Sequence, residues 1–132
     1  LKKLKATQDE LTAAVASPVT QGFIDFLARV SHEGTFDEIV TVLYVAEGTY
    51  LDWATRLIEA RQAPDNEFYA EWIDLHGPDA LGEVVDWMTS HLDSILPDDR
   101  SQRADWLVRT SLSYELMFWN QSYSGEGSTW PK

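Results

Sequence analysis

Apolar residues recur along this chain at helical intervals, and polar capping residues, glycines and prolines mark where each run stops. The stripe Phe36, Ile39, Val40, Leu43, Tyr50, Leu51, Ala54, Leu57 and Ile58 follows the capping box TFDE (Thr35–Glu38), which predicts a long helix reaching about Gln62. Leu81, Val84, Val85, Met88, Leu92 and Ile95 repeat the 3.6-residue period between the Gly77-Pro78 break and Pro97. Ser17 and Pro18 supply an N-cap and a first-turn proline for a helix ending near His32, with Gly34 as its stop. TQDE (Thr7–Glu10) is a second capping box and opens a short helix to about Val15. After the break at Pro64 a helix is expected from about Asp65 to Leu75. A last long helix is expected from about Asp98 to Tyr123, closed by SGEG and followed by a polar tail. No segment alternates with period two for long enough to make a strand, so the pattern predicts an all-α fold in one domain, residues 1–132.

Composition narrows the class of partner more than the class of fold. The 132 residues are 44% hydrophobic and include six Trp, five Tyr and five Phe, enough for a real core. With no cysteine there is no disulfide framework, thiol nucleophile or Cys-based metal site, a composition that fits the cytoplasm. All four lysines, Lys2, Lys3, Lys5 and Lys132, are terminal; six arginines against 22 acids leave residues 6–131 at 6 − 22 = −16. Such a surface repels phosphate backbones and anionic membranes, and no apolar run approaches the ~18 residues a membrane span needs. The expectation is no nucleic-acid and no membrane partner. LKKLKA opens the chain without Met and reads as the last turn of a helix, its cations at the negative end of the dipole, which leads us to expect a missing N-terminal region.

The candidate chemistry starts with SYELMFWNQSY (113–123), where Glu115 shares a helical stripe with Phe118, Trp119 and Ser122. Either it sits at the stripe's edge, reaching solvent or an arginine, or it is a carboxylate in an aromatic pocket, where burial raises its pKa toward proton-shuttling range. Glu47, in LYVAEGTYLDWA (43–54), puts another acid on the inward stripe of another long helix, so the two acids form an acid/base pair or each takes a separate Arg or Tyr partner. Gly48 costs ~1 kcal/mol in a helix interior and points to the close approach of a neighbour or ligand. NEFYAEWIDLHG (66–77) carries Phe68, Tyr69, Trp72, Ile73 and Leu75 as core candidates, and His76 either caps the helix or points into a cleft. The residues three before His32, His76 and His91 are Arg29, Ile73 and Met88, so the Glu-x-x-His pattern of di-iron bundles is missing and no metal site is expected.

Taken together, SPVTQGFIDFLARVSHEGTFDEIVTVLY, AEGTYLDWA, NEFYAEWIDLH and SYELMFWNQSY resemble, in family order, the TenA family, also called thiaminase II or aminopyrimidine aminohydrolase. The resemblance covers roughly residues 6–124; FYAEWID and YELMFW are its more specific elements. It implies a haem-oxygenase-like helical bundle without haem or other cofactor, assembled as a homotetramer. It further implies hydrolysis of thiamine or thiamine-derived aminopyrimidines in vitamin salvage. On that resemblance Glu115 matches the family's catalytic glutamate, and Tyr50 a site tyrosine one turn after a nucleophilic cysteine. That cysteine position is Ala46 here, so the chain is similar to the cysteine-less branch, with the adjacent Glu47 as the candidate carboxylate. Tyr44, Phe118 and Trp119 complete the implied substrate contacts, together with His76, which stands where many members have a tyrosine. Family members are longer at the N-terminus, so the chain resembles the C-terminal portion of the fold, with an apolar face left for another subunit to cover.

Overall fold

Six helices follow one another in a computed structural model that describes residues 6–61, 64–95 and 102–130. They are α1 (Gln8–Ala13), α2 (Pro18–Glu33), α3 (Phe36–Glu59), α4 (Glu67–Leu75), α5 (Pro78–Ile95) and α6 (Gln102–Ser124), with no strand among the described residues. The expected helical turn at Leu1–Lys5, the reach of the long helix to Gln62 and the start of the last helix at Asp98 lie outside the described residues.

The caps form as the sequence dictates. Thr7 and Glu10, and again Thr35 and Glu38, close reciprocal capping boxes, and Ser17 accepts from the Thr20 amide behind Pro18. Gly34 ends α2 because a β-carbon there would come within 2.5 Å of the Val30 carbonyl oxygen. The long helix stops at Glu59, and the chain reverses through Arg61, a non-glycine residue with φ of 53°.

α3 is the axis of the bundle, packed on α5 along one side and on α2 and α6 along another. Phe26, Val30, Val42 and Leu107, flanked by Phe23, Ile39 and Tyr114, fill the α2–α3–α6 side. Val40, Val85, Met88 and Leu92, with Leu51, Leu81 and Ile95, fill the α3–α5 side. This two-sided burial corrects the single stripe expected for α3. Val42 and Val45 are core residues outside it, whereas Phe36 (60% exposed), Leu43 and Ile58 on it are exposed. A helix gripped from two directions buries a wider arc than one amphipathic face.

The last helix turns Leu107, Ser111 and Glu115 inward at successive four-residue steps. Gly22 lets α2 come close, its position lying 3.3 Å from the Tyr114 ring when a β-carbon is placed there. The tail is more than a polar extension. Gly125 and Gly127 take φ values of 77° and 73°, and the Trp130 indole N–H donates to the Ala16 carbonyl at 3.0 Å. Beside it Gln121 bonds Ser17 and, at 2.7 Å, donates to the Thr20 hydroxyl, so the chain's two end segments are fastened together.

Candidate functional site

Glu115 is where the inward stripe of α6 ceases to be apolar. Leu107 and Ser111 precede it in the same row; Ser111 satisfies its own hydroxyl by donating back to the Leu107 carbonyl at 2.8 Å. Glu115 has no such local exit. It is 7% exposed, and its Oε2 has no hydrogen-bond partner. A buried carboxylate oxygen left unpaired favours the neutral acid.

Across from it, α3 presents Tyr50, whose hydroxyl interacts with the Glu115 carboxyl. Burial raises the Glu115 pKa; the Tyr50 hydroxyl works the other way, and the negative charge of Glu47 adds to the rise. Tyr50 responds in kind. Burial first, then the charge of Glu115 and its interaction with the hydroxyl, push its pKa up to about 12, so it stays a neutral hydroxyl at any ordinary pH. The expected pair of acids is close enough for the charge of Glu47 on α3 to act on Glu115 on α6, and no arginine pairs with either among the described residues.

Around Tyr50 the rings of three helices converge. Its centroid lies 5.8 Å from Trp53, 5.9 Å from Trp72, 5.9 Å from Trp119 and 5.0 Å from His76. His76 meets both of its expected roles: it caps α4, its Nδ1 2.6 Å from the Trp72 carbonyl, and its ring faces the cluster. Trp119 belongs to the cluster, whereas Phe118 meets it at the margin, 6.4 Å from Trp119. Tyr44 is not brought there. Six residues before Tyr50 on α3 it looks elsewhere, into a cavity of about 250 Å³ that it shares with Leu92 and Val108. Gly48 has no close neighbour among the described residues; a β-carbon would meet only the Tyr44 ring, at 3.8 Å.

Sequence reasoning missed Trp53 altogether and assigned Trp72 to plain core packing. The spacing held a signal: Tyr50 and Trp53 stand at i and i+3, and Trp72 and His76 at i and i+4, each pair on one helix face. With Trp119 these indoles line a cavity of about 690 Å³. No three His, Asp or Glu side chains converge as a metal-ligand group among the described residues, and no helix there is long and apolar enough to cross a membrane. His91, outside this site, pairs through Nε2 with Asp37 at 2.9 Å, an α3–α5 contact that 54 residues of separation hid from the sequence.

The architecture is thus an all-α bundle with an acid–aromatic site between its two longest helices. Residues 1–125 match the TENA/THI-4/PQQC family, and the chain belongs to that family and has its all-α, TenA-like fold. It is also similar, at 24% identity over 126 residues, to a protein of Halalkalibacterium halodurans named aminopyrimidine aminohydrolase. The match takes in 93% of this chain, which spans about 56% of the length of that relative.

Proposed function

We propose that this chain carries the proton-transfer side of a TenA-like hydrolase that acts on thiamine or thiamine-derived aminopyrimidines. The observation that carries the reading is the unpaired Oε2 of a buried, neutral-leaning Glu115, presented beside Tyr50 and an aromatic cavity. The name of the H. halodurans relative supports the substrate class. Glu115 gives its proton to a pyrimidine nitrogen as the bond from the pyrimidine's exocyclic carbon to the leaving group breaks. Water supplies the new C–OH, its released proton going to the leaving group or to solvent, and the pyrimidine nitrogen returns its proton to Glu115. Glu47 assists by positioning that water, and Tyr50, locked as a hydroxyl, orients the substrate.

Hydrolysis of thiamine and of an aminomethylpyrimidine by wild type and by Glu115→Gln tests this, with a loss of at least about 100-fold expected for removing a general acid/base. Equal rates would take Glu115 out of the mechanism. A second reading, a family member that binds the ligand without turning it over, is favoured by Ala46 at the position the resemblance assigns to a nucleophile. Tight calorimetric binding with no turnover in wild type would establish it instead.

A further inference from the structure

Of the chain's three histidines, His76 alone meets the aromatic cluster around Tyr50, and its hydrogen bond fixes where its proton sits. Nδ1 lies 2.6 Å from the Trp72 carbonyl oxygen, four residues back along α4. A carbonyl oxygen only accepts, so Nδ1 carries the hydrogen and donates it. In the neutral ring the lone pair then belongs to Nε2, on the other edge of the imidazole. That nitrogen has no hydrogen-bond partner among the described residues. His91 is fixed the opposite way, because its Nε2 meets the Asp37 carboxylate at 2.9 Å and must donate there.

Hydrolysis at this site needs such an acceptor. Glu115 leans to the neutral acid, Tyr50 is held as a hydroxyl with its pKa pushed up to about 12, and Ala46 offers only a methyl group. A water that attacks a substrate must lose a proton to some base, and beside Tyr50 that leaves Glu47 and His76. Imidazole is the side chain whose basicity lies nearest neutrality, the range in which a general base works best. The surroundings of His76 also suit the positive charge that a base acquires. Its ring stands at the C-terminus of α4, the negative end of that helix, and meets the rings of Tyr50, Trp72 and Trp53 at 5.0, 5.2 and 6.0 Å.

Resting on the hydrolase reading, we infer that His76 is a catalytic residue, the general base whose Nε2 takes a proton from the attacking water. As the water oxygen bonds to the pyrimidine's exocyclic carbon, the electron pair of the breaking bond departs with the leaving group. The proton taken by Nε2 then passes to that group or to solvent, which returns the neutral ring. The Nδ1 bond to the Trp72 carbonyl persists throughout and keeps the ring oriented.

Long-range proton–nitrogen NMR correlation of the isotopically labelled full chain reads the tautomers without any turnover. In the neutral rings the hydrogen is expected on Nδ1 of His76 and on Nε2 of His91. Hydrogen on Nε2 of neutral His76 would overturn the base and leave the hydrolase reading in place. His76→Asn separates chemistry from folding, because its side-chain amide can still donate to the Trp72 carbonyl but supplies no second ring nitrogen. This variant is expected to keep the circular dichroism and KM of wild type and to lower kcat about 100-fold or more. In His76→Ala, added imidazole is expected to restore part of the lost rate, which a residue that only caps a helix does not allow; no rescue would make His76 structural. Wild-type kcat in a folded His76→Asn would overturn the proposal, and a loss confined to Glu47→Gln would give the base to Glu47. Absence of hydrolysis in wild type removes the hydrolase reading and the base together.

Discussion

Glu115 shows how one residue can be located by periodicity and still not be understood from it. The spacing placed it on an inward row, which the structure confirms, but left open whether an arginine or solvent would satisfy it. The answer depended on what α3 puts opposite, and that is Tyr50, 65 positions away in the chain, with Oε2 left over. A carboxyl whose folded pKa exceeds its ordinary 4.5 holds its proton more tightly when folded than unfolded. Its contribution is full below the ordinary carboxylate range and is lost as pH rises through the raised value. Glu115→Gln, always neutral, is therefore expected to be more stable than wild type at about pH 8, with the gap closing toward about pH 4. Urea midpoints of both proteins across that range check it, and a gap independent of pH would contradict it. The proposed hydrolysis is expected to carry the same signature: its alkaline limb should lie above the normal carboxylate range, because the proton donated must first be present.

At the scale of the element, caps and breakers were highly legible and faces less so. Thr7, Ser17, Thr35 and Gly34 each mark a helix end within a residue or two, because capping is local chemistry. The faces of α3 were misjudged, since which valines are covered depends on how many neighbours a helix has. Trp53 and Trp72 escaped for the same reason: an apolar position at helical spacing looks alike whether it meets core or cavity. Gly48 offers a test at this scale. With no described neighbour crowding it, Gly48→Ala is expected to stabilise the protein by about 0.5–1 kcal/mol in thermal or urea unfolding. A destabilised variant would mean that a close partner does occupy that side of α3. A stabilised variant with weakened ligand binding would place the ligand there.

For the whole molecule, the fold class and the family were legible because nearly every stretch of the chain bears on them, and the family match runs over residues 1–125. The acidity bears on stability as well as on partners. A formal charge of −12 repels itself in the compact state, so raising NaCl from about 0.01 to about 1 M, which shortens the screening length from about 30 to about 3 Å, is expected to raise the melting temperature. Calorimetric scans across that series check it; a melting temperature that falls with salt would show that the few ion pairs, such as Arg103–Glu38 at 2.9 Å, outweigh the repulsion.

The packing of α2 on α6 also has a consequence in time. Phe26 and Val30 find Leu107 and Tyr114 only after some 75 further residues have been made. At the ~5–20 residues per second of translation, α2 spends roughly 4–15 s with its apolar face unanswered by its eventual partner. Until then Val42 and Ile39 of α3, made soon after α2, are its cover against Phe26 and Val30, and the face closes only once Leu107 and Tyr114 arrive.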